Sequence, residues 1–300
     1  FFSTFSSLYT KATKWFAIGI LFYPTMVIWS SGILKDTVTL ACIGIIFRST
    51  YKLLKLENLL ISILKIVIFT LLCLALKPYL LYVIVPSLLL WVQFKLTKNT
   101  SGLWKILSIP IFLSLFALGG YLFMNYVSSS AGKYSLENVQ TVAEGFQSWH
   151  SYLAEERNQS GYSLGDVEFS PLGVISKSPE AFIVTYYRPF IFEVSNASMA
   201  LEAIQGSILI LLTIYLIIKH GLVKIMKIIF SNSDVRVFLL IAFLIGITVG
   251  LTSYNFGALS RYKMPGIPFF IAFLSITHLE SLRKSETVQL EKKRIKARLA

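Results

Sequence analysis

Residues 59–76 read LLISILKIVIFTLLCLAL and residues 80–94 read LLYVIVPSLLLWVQF, with only Lys77-Pro78-Tyr79 between them. The first run is 18 residues long and carries one charge, Lys65. About 20 apolar residues at 1.5 Å per residue cross a bilayer core. Pro78 stops one helix and starts the next, so the two runs form a membrane hairpin with almost no loop. Lys65 faces a polar cavity or snorkels; the sequence leaves both open.

The rest of the chain repeats this pattern. Its mean hydropathy is +0.68, 55% of residues are hydrophobic and 14% are charged. A soluble domain carries nearer a quarter charged residues. The expected fold class is all-α, a polytopic transmembrane bundle of about eight spans. They are Trp15 to Trp29, Thr37 to Phe47, Leu59 to Leu76, Leu80 to Phe94, Ile106 to Met124, Ile204 to Ile218, Val237 to Ser253 and Gly266 to His278. The second is short and reads as a tilted or half-inserted helix, paired with the first as a hairpin. Four regions follow: N-terminal spans (1–124), a long loop (125–203), C-terminal spans (204–280) and a basic tail (281–300). Within the loop, Leu136 to Arg157 has helical apolar spacing and Asn158 to Ser178 is rich in Gly, Ser and Pro, a loop composition. Because the first residue is Phe1, a fragment or processed form with upstream helices is expected.

Charge sets the expected orientation. With the N-terminus cytoplasmic, most of the 28 basic residues fall in the cytoplasmic loops and tail, while the 125–203 loop holds nine of the 15 acidic residues against four basic ones. That asymmetry follows the positive-inside rule. It also accounts for the net charge of +13 without nucleic acid. Cys42 and Cys73 sit inside apolar runs and support neither a disulfide framework nor a metal site. His150, His220 and His278 have no ligand spacing, which argues against a zinc enzyme. The sequons at Asn158 and Asn196 matter only in a eukaryote.

This topology puts four polar interruptions on one non-cytoplasmic face. Ser30-Ser31-Gly32-Ile33-Leu34-Lys35-Asp36 turns tightly at Gly32, and Asp36 opens the next helix. Lys77-Pro78-Tyr79 fixes a cation at a helix end. Tyr186-Tyr187-Arg188-Pro189-Phe190, followed by Glu193 and Glu202, sets aromatics around a guanidinium. Ser260-Arg261-Tyr262-Lys263-Met264-Pro265 sets two cations against the global charge bias. Each has a plainer role as a helix cap, a terminal lysine or an interfacial belt. Together they supply Lys35, Lys77, Arg188, Arg261 and Lys263 for an anionic headgroup. Asp36, with Glu193, is a candidate general base or ligand for a divalent cation such as Mg or Mn. Tyr186, Tyr187 and Trp149 are candidate sugar contacts.

The stretch from Phe22-Tyr23-Pro24 through Trp29 to Lys35-Asp36 resembles a pattern in the GT-C superfamily of membrane glycosyltransferases. There, a Pro-bearing span leads into a short outer loop whose Asp opens the next span. Arg261-Tyr262-Lys263-Met264-Pro265 with Pro268 is similar to the RYxxPxxP segment of many bacterial cell-surface polysaccharide proteins of that type. The resemblance covers two short segments. It implies transfer of a sugar from a polyprenyl-phosphate-linked donor to a glycan or lipid acceptor, in a bacterial inner membrane. Asp36 matches the second acidic position of that pattern; the first, in an earlier outer loop, has no counterpart after Phe1. Three other readings stay open: an O-antigen-type polymerase or ligase, which needs no metal; a lipid-linked glycan transporter; and a subunit of a membrane complex.

Overall fold

The computed structural model describes residues 1–98, 161–165 and 167–299, with isolated positions between 102 and 152. Side chains are described to residue 283, Pro171 excepted. Apart from those isolated positions, the expected span Ile106 to Met124 and the amphipathic stretch Leu136 to Arg157 lie outside the described residues.

Twelve helices and no strand occur among the described residues. They are α1 (Phe2–Leu8), α2 (Thr10–Leu21), α3 (Pro24–Ser30), α4 (Lys35–Leu54), α5 (Leu59–Leu76), α6 (Pro78–Leu96), α7 (Pro171–Tyr187), α8 (Ala197–His220), α9 (Leu222–Ser231), α10 (Ser233–Thr252), α11 (Phe256–Tyr262) and α12 (Ile267–Leu299). Five of these, α4, α5, α6, α8 and α10, are long and apolar enough to cross a membrane. Two bent pairs, α2 with α3 and α11 with α12, raise the number to seven. The chain is an α-helical membrane protein.

Local chemistry explains where helices start. Pro24 and Pro78 open α3 and α6, where the missing N–H costs nothing. Asn196, Asn232 and Asn255 cap α8, α10 and α11 through side-chain oxygens that accept backbone N–H bonds.

Three expectations need correction. The short span Thr37 to Phe47 is instead part of the 20-residue helix α4, because Asp36 and the apolar Leu53-Leu54 extend it at both ends. The spans Trp15 to Trp29 and Gly266 to His278 belong to broken pairs, bent by 53° before Pro24 and by 67° after Tyr262. The stretch read as loop to Ser178 becomes helical at Pro171, where Ser170 caps and Pro171 occupies the first turn.

That helix, α7, lies against α10. Thr185 donates from Oγ1 to the carbonyl of Gly246 at 2.7 Å, and Tyr186 donates to that of Ala242 at 2.8 Å. The approach depends on glycine. A Cβ at Gly250 would collide with the carbonyl of Ala181, and one at Gly246 with the Tyr186 ring. Small residues let backbones approach in membranes, where packing rather than water exclusion drives association.

Two ends of the bundle are distinguished here by their buried carboxylates. At one end, Asp234 opens α10 and is almost fully buried. It accepts from Trp91 Nε1 at 2.6 Å and Tyr9 Oη at 2.9 Å, and pairs with Lys95 at 2.7 Å. Beneath it, Phe5, Phe47, Trp91, Phe238 and Phe269 pack with ring centroids 5.0–5.9 Å apart. His220 and His278, distant in sequence, meet at this end with ring nitrogens 3.0 Å apart. The segment α9 buries Ile225 and Ile228 and exposes Leu222, Val223, Met226 and Phe230, a pattern suited to a membrane surface. The other end carries Asp36.

Gly250→Ala tests the close contact. In an open helix this change gains about 1 kcal/mol from propensity. Here the clash with Ala181 is expected to lower stability by about 1–3 kcal/mol. Gly32→Ala, whose Cβ has ordinary spacing to Leu34, is expected to be near neutral. Thermal unfolding of the purified protein reads both.

Candidate functional site

The Asp36 end collects parts of three of the four polar motifs. The turn between α3 and α4 is closed by Thr37, whose hydroxyl lies 2.8 Å from the carbonyl of Gly32 and 3.0 Å from that of Trp29. This holds Asp36 in the first turn of α4, where the helix dipole favours its charge. Lys77, in the one-residue junction of α5 and α6, forms an ion pair with Asp36. Both side chains are about nine-tenths buried, at 12% and 10% exposed. The Lys77 ammonium also lies 4.5 Å from the centre of the Tyr262 ring.

Arg261, on α11, stands beside this pair. Its guanidinium lies 5.2 Å from the Trp29 ring and 5.8 Å from that of Tyr262. Trp29 is oriented by its indole N–H, which donates to Ser260 Oγ at 2.6 Å. Arg261 Nε is buried without a hydrogen-bond partner, and no carboxylate pairs with the guanidinium among the described residues. The end therefore holds two cations and one carboxylate between two aromatic rings.

Lys263 turns the other way. It is fully buried and pairs with Glu202 at 2.8 Å. Glu202 Oε1 accepts from the Thr25 hydroxyl at 2.6 Å, and Gln205 Oε1 accepts from the Thr25 backbone N–H at 3.1 Å. Thr25 lies just after the first break and Lys263 at the second. The pair thus ties both broken spans to α8.

Arg188 is similarly engaged. Nε donates to Glu193 Oε2 at 3.0 Å, and a terminal nitrogen bonds the other oxygen. The rings of Phe256 and Tyr162 lie 5.6 and 5.7 Å from its guanidinium. Its charge is answered within the protein. Lys35 is exposed. Tyr187 shares a 3.1 Å hydrogen bond with Thr213. Tyr186 is fully buried, and Phe270 lies 4.7 Å from its ring centre. It packs the α7–α10 contact and presents nothing to a ligand, because Gly246 and Gly266 leave it the space. Trp149 is exposed, and its ring is tilted by 31° to that of Tyr152 with centroids 6.0 Å apart.

Of the residues read from sequence, Asp36, Lys77 and Arg261 come together; Lys263, Arg188, Tyr186 and Tyr187 have internal partners. Sequence reasoning missed Trp29, Ser260 and Tyr262 as site walls. It also missed Glu202 as the partner of Lys263, although an acidic residue opening an apolar helix was a signal. No cluster of three His, Cys, Asp or Glu that could hold a metal occurs among the described residues. A divalent cation fits Asp36 poorly, because its carboxylate already pairs with an ammonium and no second carboxylate joins it in a metal-holding cluster among the described residues. The chain matches no family model, no curated protein and no solved structure.

Breaking the buried pair leaves a bare charge. Lys263→Ala is expected to cost about 3–5 kcal/mol, and Lys263→Met with Glu202→Leu to recover most of it. Thermal unfolding of the single and double variants measures this.

The Arg188 pair carries a pH signature. Burial pushes the Glu193 carboxyl up, but the Arg188 hydrogen bonds and the Phe190 N–H outweigh it and hold the group below the ordinary carboxylate range. The resulting stability is present above the unfolded value and lost as pH falls through the lowered folded value. Unfolding followed through acid pH should therefore show a flatter dependence in Glu193→Gln.

Proposed function

We propose that the chain is an integral membrane glycosyltransferase acting at the Asp36 end on a sugar linked to polyprenyl phosphate or pyrophosphate, in cell-surface glycan assembly. The carrying observation is the meeting of Arg261 and Lys77 beside Asp36, with no carboxylate paired to Arg261 among the described residues. Two cations near hydrocarbon suit the phosphate of a lipid carrier. Arg261 would grip it through parallel hydrogen bonds, and Lys77 would act as a point charge. Trp29 and Tyr262 offer faces to a sugar ring. The lysine-rich character of the opposite end supports a non-cytoplasmic position for this one.

The step proposed is a displacement at the anomeric carbon. The acceptor hydroxyl oxygen bonds to that carbon as the carbon–oxygen bond to phosphate breaks. The electron pair leaves with the phosphate, whose charge Arg261 and Lys77 stabilise. Asp36 takes the hydroxyl proton, once the arriving phosphate draws Lys77 toward itself. No metal enters this step.

One observation favours a second reading, a lipid-linked glycan transporter. Discontinuous spans meeting at a buried polar group are a feature of transporters, and here both breaks meet Glu202 and Lys263.

An alanine series at Asp36, Lys77, Arg188 and Arg261 in the full-length protein separates these readings, with surface glycan and protein level as readouts. Asp36→Ala is expected to cut transfer by about 100-fold or more at normal protein level, the contribution of a general base. Normal glycan in Asp36→Ala with loss in Arg261→Ala would favour a polymerase or ligase. Sensitivity confined to Glu202→Gln and Lys263→Gln at normal protein level would favour transport. Normal glycan in all variants would leave the motifs as caps and anchors.

A further inference from the structure

We propose that the groove between α4 and α5 binds an anionic phospholipid, with its phosphate held by Arg48, Lys52 and Lys65. The site lies toward the Asp234 end and does not depend on the function proposed for Asp36.

The two helices run antiparallel from the turn at Lys55 to Asn58, and a cavity of about 500 Å³ opens between them. Arg48 and Lys52 line it from α4 and Lys65 from α5. No carboxylate lines it among the described residues. Glu57, in the turn, is exposed and forms no ion pair among the described residues. Arg48 has neutral partners: Ser7 Oγ at 3.1 Å, the Ser3 carbonyl at 3.3 Å and the Tyr51 ring at 5.4 Å. Lys52 and Lys65 pair with no carboxylate among the described residues. Three like charges around one cavity repel, and the low dielectric of the membrane strengthens that repulsion. An anion among them removes it. Lys65 lies six residues into α5, about 9 Å from its start, within the depth a lysine stem can span toward a phosphate.

The shape of the groove selects a lipid over a free anion. Past the cations toward the Asp36 end the α4 wall carries Ile45, Gly44, Ala41 and Leu40, with Thr37 and Ser30 at the far end, while Ile61 of α5 lines the groove at the level of the cations. The lining continues along α4 from Lys52 to Thr37, about 22 Å at the helical rise. A small anion has no use for that length, whereas an acyl chain fills it. The wall formed by α5 has the smallest buried share of the five single spans among the described residues, 11%. A lipid can therefore enter sideways from the bilayer.

The test is native mass spectrometry of the full-length protein in an uncharged detergent, titrated with phosphatidylglycerol, phosphatidylcholine or inorganic phosphate. Phosphatidylglycerol should be retained in preference to phosphatidylcholine. Lys52→Gln and Lys65→Gln should each weaken that retention about fivefold. Lys65→Arg should keep it, and Lys11→Gln, an exposed lysine at the same end, should not change it. Thermal unfolding of each variant checks that it is folded. The proposal is overturned by equal retention of the two lipids, by equal protection from inorganic phosphate alone, by indifference to Lys52 and Lys65, or by an equal loss in Lys11→Gln.

Discussion

The buried pair of Glu202 and Lys263 is the constraint on which the arrangement of this bundle depends. Two spans interrupt their helices, and a broken helix in a membrane exposes peptide groups that lipid cannot satisfy. Both breaks are settled by protein. After the first, the N–H of Thr25 reaches Gln205. At the second, the N–H groups of Met264 and Gly266 close turns onto Arg261 and Lys263 at 3.4 and 2.9 Å. Glu202 and Gln205 lie one turn apart on α8, so a single helix face serves both breaks. Moving α8 along its axis by one turn would strand a charge at one break and a polar backbone at the other. The register of α3, α8 and α11 is therefore fixed by electrostatics rather than by apolar fit.

Much of this was legible in the sequence. Length and apolarity identify spans wherever a helix faces lipid, as at Leu59 to Leu76 and Ile204 to Ile218. They identify α10 as well, although 56% of its spanning residues are buried, and they fail at α7, which carries polar residues into its contact with α10. Pro171 to Tyr187 mixes Gly, Ser, Lys and Pro with its apolar residues because its neighbour, with Gly246 and Gly250, requires a close fit rather than a greasy surface. The local signal, Ser170 before Pro171, is present and is missed when the segment is read by composition alone. In the site, Asp36, Lys77 and Arg261 stood out because charge is rare in this chain. Their pairing did not. Arg188 had both Glu193 and Glu202 nearby in sequence, and only the fold gives Glu193 to Arg188 and Glu202 to Lys263. Tyr186 and Tyr187 adjoin one arginine and read alike, yet one is sealed in the core by the glycines around it.

The two ends of the bundle use a buried carboxylate differently. Asp234 receives an indole, a phenol and an ammonium, and its oxygens are occupied by groups that also knit α6 and α10 to the N-terminal segment. It is a joint. Asp36 sits against one flexible ammonium, with a guanidinium and two aromatic faces alongside. An anionic visitor that competes for Lys77 draws on an ion pair that joins the start of α4 to the α5–α6 junction, which couples recognition at this end to that helix contact.

The opposite trends of apolarity and burial in α4 and α5 have a consequence for biogenesis. The most apolar of the five single spans, α5, is the least buried, while α4, the least apolar of them, has 56% of its spanning residues covered by protein. Lipid selects for apolarity and protein neighbours select for fit. On leaving the translocon, α5 can partition into the bilayer unaided, whereas α4 carries Asp36 and Arg48 into it and gains from a companion. The turn between them is only four residues long, Lys55 to Asn58, so a hairpin inserting as a unit would have its second half anchor the first. The order of synthesis thus runs against the order of apolarity, the charged helix preceding its apolar neighbour in the chain.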